Sequence, residues 1–280
     1  MLLPFSLLLL VGCSQRADAP PAAPTDHSRT VQEETAAEPA EVEASGSSTI
    51  APEAVSLDTT DLTPEPATPL KLLLEGSYHK SEVWRGAEKQ AWLGLYHEKG
   101  TYILRPTSLQ VHTVEDPIAD NEGIISGRAV TAADSNGLFY ITGLPASKAG
   151  SVDTAVFSQT TLAANKVLAY SYKGKEYYIK AYGDSVQTAT GQYRYTLYGW
   201  KVAGTKNGRN VEQTLAEDEA FDDSIYVLLW AGDLDRDGVP DLLLDLSNHY
   251  NLSRYVLYLS SMAERGKLYK KAAVFEVVGC

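Results

Sequence analysis

The chain has 280 residues, of which 44% are hydrophobic, and a formal net charge of −12. Its two cysteines, Cys13 and Cys280, exclude a fold that depends on several disulfides. The charge is unevenly distributed, because residues 14–70 contribute −9 and the rest of the chain is close to neutral. The length after residue 70 is sufficient for one large globular domain or two small ones.

Residues 1–12 form an apolar run that is too short to cross a bilayer as a helix. Such a run at the amino terminus predicts a secretion signal. Its ending, Leu10-Val11-Gly12-Cys13, resembles the lipobox of bacterial lipoproteins. The resemblance implies cleavage before Cys13, lipidation of Cys13 and a lipid anchor in the cell envelope, and Ser14 favours the outer membrane. An ordinary signal peptide with an incidental cysteine is the alternative.

Residues 13–70 have the composition of a disordered tether. Between residues 14 and 70 there are eight prolines, eleven acidic and two basic side chains, and no aromatic residue. A segment so poor in large apolar side chains cannot bury a core. We therefore expect a flexible, acidic spacer between the lipid anchor and a folded domain.

Residues 71–280 contain all seventeen tyrosines and all four tryptophans, and strand signals recur at short intervals. The pattern predicts a mainly β domain of antiparallel sheets, sandwich-like or partially propeller-like. We expect one continuous domain, with a weak alternative boundary near the loop at residues 145–150. A turn or two of helix is predicted between Ser260 and Lys271. The predicted strands are Trp92–Tyr96, Tyr102–Arg105, Leu109–Val114, Leu138–Thr142, Val167–Tyr172, Tyr177–Tyr182, Tyr193–Val202, Ile225–Ala231, Arg254–Leu259 and Ala273–Val278.

The sequence from Gly232 to Asp245 reads Gly-Asp-Leu-Asp-Arg-Asp-Gly-Val-Pro-Asp-Leu-Leu-Leu-Asp. It carries acidic residues at positions one, three, five and nine of a tight loop, and Gly238 at position six. A hard divalent cation prefers six to eight oxygen ligands, which alternate residues of such a loop can supply together with a backbone carbonyl at position seven. The spacing therefore predicts a calcium site within residues 233–241. An Asp-Gly hairpin turn without metal is the alternative.

The flanks of this loop distinguish it from an EF-hand, which has helices on both sides and a bidentate Glu at position twelve. Position twelve is Leu244, and apolar residues alternate on both sides as they do in strands. A loop of this sequence between two strands resembles the FG-GAP or VCBS-type calcium-binding repeat, over about residues 225–259. The resemblance implies calcium ligands at Asp233, Asp235, Asp237, the Val239 carbonyl and Asp241. The chain has one such unit, so the resemblance implies the loop but not a complete propeller.

Catalytic motifs are absent from the sequence. It contains no Gly-x-Ser-x-Gly, His-Glu-x-x-His, P-loop or Gly-x-Gly-x-x-Gly pattern. Two carboxylates suffice for a glycosidase, and Glu82 with Glu88, or the acidic run at residues 217–223, would serve. We read the acidic run as a solvated loop and predict no catalytic residues.

These observations predict a membrane-anchored envelope lipoprotein whose calcium-stabilised β domain acts as a binding or scaffold module. We expect a protein or glycan partner and no nucleic acid. An envelope assembly factor for a protein partner and an unrecognised glycan or peptide hydrolase are the alternatives.

Overall fold

The computed structural model describes residues 70–144, 148–189, 191, 193–219 and 221–279. The predicted signal peptide, the predicted lipidation site Cys13 and the predicted tether up to residue 69 lie outside the described residues. Within them, sixteen strands form four antiparallel sheets, which confirms the predicted mainly β fold. No helix in this described part has the length and hydrophobicity needed to cross a bilayer.

The amino-terminal half contains two of the sheets and the 3₁₀ turn Ala87–Lys89. The five-stranded sheet has the order β1-β7-β3-β4-β8, and the three-stranded sheet has the order β2-β6-β5. The strands are β1 Lys71–Leu73, β2 Gly76–Tyr78, β3 Trp92–Glu98, β4 Thr101–Thr107, β5 Leu109–Val114, β6 Gly127–Ala132, β7 Gly137–Thr142 and β8 Gly150–Val152.

The carboxy-terminal half contains the other two sheets. The third sheet has the order β12-β11-β10-β9, and in the fourth sheet β13, β14, β15 and β16 pair in sequence order. The strands are β9 Val167–Tyr172, β10 Lys175–Gln187, β11 Tyr193–Lys206, β12 Arg209–Glu219, β13 Val227–Gly232, β14 Asp241–Asp245, β15 Leu252–Leu259 and β16 Lys270–Val278.

Three tight turns close two-residue hairpins. Lys99-Gly100, Lys173-Gly174 and Asn207-Gly208 each have positive φ at both residues. Positive φ at both central residues defines the type I′ turn, whose twist matches that of the flanking strands. These turns set the registers of β3 with β4, β9 with β10, and β11 with β12.

The fourth sheet lies between two hydrophobic clusters and is covered on both faces. Leu243 and Leu257 pack in the cluster of the amino-terminal sheets, whereas Leu242, Leu244 and Val256 pack in the cluster of the third sheet. All five side chains are at most 1% exposed. A strand covered on both faces reads as a continuous apolar run, which explains the three consecutive leucines of β14.

The helix predicted between Ser260 and Lys271 is wrong. The described segment after β15 consists of turns, and β16 begins already at Lys270. Helix propensity near Met262 is overridden, because the hydroxyls of Ser260 and Ser261 and the backbone N–H of Ser260 bond to aspartates of the loop between β13 and β14.

Candidate metal centre

The loop between β13 and β14 brings three of the predicted ligands together. Carboxylate oxygens of Asp233, Asp235 and Asp237 all lie within 4.8 Å of one another. Gly238, at position six, has a φ of 87°, a conformation that side chains with a Cβ rarely adopt. The turn therefore requires glycine at the position that the sequence pattern assigned to it.

Asp233 organises the loop backbone. Its Oδ1 accepts a hydrogen bond from the Asp237 N–H at 2.9 Å, and its Oδ2 accepts one from the Gly238 N–H at 3.0 Å. Asp237 Oδ1 in turn accepts from the Val239 N–H at 2.9 Å. These local bonds hold the aspartates at positions one and five on the same side of the turn.

Asp235 is the most unusual carboxylate of the loop. It is 3% exposed, its Oδ2 accepts a hydrogen bond from the Ser261 hydroxyl, and its buried Oδ1 has no hydrogen-bond partner among the described residues. Burial raises the pKa of Asp235, and the charges of Asp237 and Asp233 act in the same direction. An ionised, buried carboxylate with one unsatisfied oxygen is costly unless a cation is bound to it.

Asp241 has a different environment from the other three aspartates. It is fully buried, its Oδ1 accepts from the Ser260 N–H at 2.8 Å and its Oδ2 accepts from the Leu234 N–H at 2.9 Å. Burial raises the pKa of Asp241 well above its ordinary value, with a further contribution from the charge of Asp235. Asp241 lies outside the group of three converging carboxylates, and its visible role is to connect the loop to the end of β15.

The loop is attached to the segment around β8. The Asp233 N–H donates to the Asp153 carbonyl at 2.9 Å, and the Arg236 guanidinium donates to the Ala149 carbonyl at 2.7 Å. The Lys148 ammonium group donates to the Asp235 carbonyl. Gly232 permits this approach, because a Cβ there would lie 2.8 Å from the Asp153 carbonyl oxygen.

The third sheet and the end of β15 supply the other walls. The Tyr172 hydroxyl donates to Asp233 Oδ2 at 3.1 Å, and Lys173 bridges Asp153 at 2.8 Å and Asp233 at 3.6 Å. The Ser260 hydroxyl donates to Asp237 Oδ2 at 2.5 Å. The loop is therefore the point where the fourth sheet meets both the β8 segment and the third sheet.

Tyr177 adds a second unsatisfied polar group beside the loop. It is 1% exposed, and its hydroxyl has no hydrogen-bond partner among the described residues. Burial raises the pKa of Tyr177, and the charges of Asp237 and Asp233 raise it further.

Sequence reasoning did not find the tyrosines and serines around the loop. Tyr172 and Tyr177 come from the β9–β10 hairpin, and Ser260 and Ser261 follow β15. The only available signal was the alternation of tyrosines in β9, which is equally typical of a half-buried sheet.

The donor set fits a hard cation. The three carboxylates that converge in the described structure provide oxygen atoms only, without histidine or cysteine. A site made of oxygen ligands alone suits calcium and magnesium, whereas zinc sites usually include histidine nitrogen or cysteine sulfur. An ion here would satisfy Asp235 Oδ1 and offset the mutual repulsion of the aspartates.

The carboxylates considered for glycoside hydrolysis have structural partners. Glu82 accepts from the backbone N–H groups of His79 at 2.8 Å and Val278 at 2.6 Å. Asp218, in the acidic run, accepts from the Tyr226 hydroxyl at 2.5 Å and from Arg254 at 3.4 Å. These hydrogen bonds tie separate elements together.

Comparison with known protein families, with curated proteins and with solved structures finds no match to this chain. The assignment of the loop therefore depends on its own residues and geometry.

Proposed function

We propose that the loop at residues 233–241 binds one structural calcium ion in a lipid-anchored envelope protein that acts as a binding or scaffold module. The observation that carries the metal assignment is the buried, unsatisfied Oδ1 of Asp235. It belongs to a carboxylate that has an oxygen within 4.8 Å of carboxylate oxygens from two further aspartates. Asp233, Asp235 and Asp237 would hold the ion. The resemblance also implies the Val239 carbonyl and Asp241 as ligands, but both carboxylate oxygens of Asp241 already accept backbone hydrogen bonds.

The ion would stabilise the junction of the sheets. It joins carboxylates whose other bonds go to Tyr172 of the third sheet and to Ser260 and Ser261 after β15. At a calcium concentration tenfold above the dissociation constant, binding would add roughly 1.4 kcal/mol to the free energy of unfolding. A stabilisation of this size fits an ion whose role is structural.

Terbium luminescence tests the metal site. Terbium replaces calcium in oxygen-rich sites and emits when a nearby tyrosine is excited, and the Tyr172 hydroxyl is 3.1 Å from Asp233. We expect emission that saturates with terbium and declines when calcium is added. Tyr172→Phe should reduce the emission while leaving calcium binding in place, and Asp235→Ala should abolish it. Emission that calcium does not displace would contradict the proposal.

The anchor is tested separately. After expression in a bacterium, mass spectrometry of the amino-terminal peptide should find acyl chains on Cys13, and Cys13→Ala should release the protein from membranes. Two or more acyl chains are needed for stable anchoring, because a single chain binds only marginally. A soluble mature form without modification would contradict this part of the proposal and leave the metal site untouched.

A further inference from the structure

A groove separates the end of the β11–β12 hairpin from the segment that follows β15. One wall contains Lys206, Asn207 and Arg209, and the other contains residues 263–267. Its volume is about 700 Å³, within the usual range of roughly 300–1,000 Å³ for small-ligand sites. A shallower extension continues along Lys270 and Lys271.

The groove concentrates positive charge, whereas residues 71–280 as a whole carry a small net negative charge. Glu264 is the acidic residue that lines it. Arg105, Lys173, Lys180 and Arg254 elsewhere in the domain form ion pairs, whereas among the described residues no ion pair is made by Arg209, Arg265, Lys267, Lys270 or Lys271. The basic residues that line the groove and its extension are Lys206, Arg209, Arg265, Lys267, Lys270 and Lys271.

Side chains of the β11–β12 hairpin hold the wall formed by residues 263–267 in place, because they bond to residues on either side of it. Lys206 donates from its ammonium group to the carbonyls of Ser260 at 2.5 Å and Leu268 at 3.3 Å. Gln213 donates to the Tyr269 carbonyl at 2.8 Å and accepts from the N–H groups of Leu268 and Tyr269 at 2.9 and 3.0 Å. Because the walls are already connected, a ligand would not have to order them.

We propose that this groove binds a phosphate-bearing anion. Arg209 and Arg265, on facing walls, offer planar guanidinium groups that bond phosphate oxygens in pairs, and the lysines add point charges. The unpaired cations repel one another in the absence of a ligand, and an anion with two or more charges relieves that repulsion. The same chemistry is provided by a soluble phosphate ester and by a phosphorylated lipid headgroup. The site does not require a metal ion, and so it stands apart from the calcium proposal.

Calorimetry with inorganic pyrophosphate tests the site. The full-length protein is titrated at low ionic strength in buffer freed of divalent metal by a chelating resin, so that pyrophosphate cannot act by removing calcium. We expect saturable binding that weakens as salt increases. Arg209→Gln with Arg265→Gln should weaken binding by about tenfold or more, because two charge-assisted donors are lost.

The matched control is Arg85→Gln with Lys166→Gln, which removes the same charge at exposed positions that form no ion pair within the described residues. It should leave the affinity within about twofold. Equal weakening of pyrophosphate binding by both double variants would overturn the proposal. The absence of binding to both pyrophosphate and anionic vesicles would overturn it as well. Vesicles of phosphatidylcholine with and without phosphatidylglycerol distinguish the sources, and this assay uses the full-length Cys13→Ala protein so that acyl chains on Cys13 do not bind either vesicle. Binding to the anionic vesicles without pyrophosphate binding identifies a lipid headgroup, and the reverse identifies a soluble phosphate.

Discussion

Neutralising Asp235 should stabilise the protein when no divalent metal is present. Asp235→Asn keeps the shape of the side chain and an oxygen that accepts from Ser261, but it removes the charge that opposes Asp233 and Asp237. At 4.8 Å, the upper limit of the separations in this cluster, two unit charges repel by about 3.5 kcal/mol at an effective dielectric of 20 and by about 0.9 kcal/mol in water. Asp235 is buried and Asp237 is exposed, so an intermediate net gain of about 2 kcal/mol is expected.

A gain of about 2 kcal/mol corresponds to an increase in melting temperature of about 4 to 8 °C for a domain of this size. Thermal denaturation in metal-free buffer measures this increase. When calcium is added, the melting temperature should rise by less for Asp235→Asn than for the unmodified protein. Asp184→Asn, at an exposed position, controls for the change in net charge. A lower melting temperature for Asp235→Asn, or an equal rise for Asp184→Asn, would refute the reasoning.

Three further predictions concern the support of the loop, the core and a distant ion pair. Asp241→Ala removes the acceptor of two buried N–H groups and should lower the free energy of unfolding by about 2–4 kcal/mol in urea titrations; a loss below about 1 kcal/mol would argue against its connecting role. Leu243→Ala should cost about 2–5 kcal/mol in the same assay, whereas Val274→Ala, at a 46% exposed position, should cost less than about 0.5 kcal/mol. The hydrogen bond at 2.5 Å from the His79 ring to the Asp116 carboxylate raises the pKa of His79. The protonated ring therefore stabilises the fold fully below pH 6.5, and this contribution is lost as the pH rises through the raised pKa. Thermal melts at a series of pH values should show a melting temperature that declines over this range in the unmodified protein and depends less on pH in His79→Gln. Identical pH profiles for the two proteins would contradict a stabilising His79–Asp116 pair.

Local patterns predicted most of the strands, because strand signals depend on near neighbours in the chain, but β1, β2, β6 and β8 were not predicted. The pairs Lys99-Gly100 and Asn207-Gly208 specify their turns through backbone conformation alone. The alternation around the loop likewise predicted the β13–β14 hairpin. The double-sided burial of Leu242, Leu243 and Leu244 was not predicted, because it depends on sheets formed by distant segments.

The candidate site, like the strands, was predictable where it depends on local sequence. The spacing of Asp233, Asp235 and Asp237 is a local property, and the structure places the three carboxylates together. The environment of Asp241 depends on Ser260, nineteen residues away, which no loop pattern contains. The same long-range contacts explain why a segment with helix propensity forms turns after β15.

Calorimetric titration of calcium into the metal-free, full-length protein tests the central claim most directly. The proposal predicts saturable binding at a single site, with a dissociation constant on the order of 10⁻⁴ to 10⁻³ M, the range of extracellular calcium modules. Asp235→Ala should eliminate the binding heat while the protein remains folded. The absence of binding heat at millimolar calcium, or an unchanged isotherm for Asp235→Ala, would contradict the assignment of the loop as a calcium site.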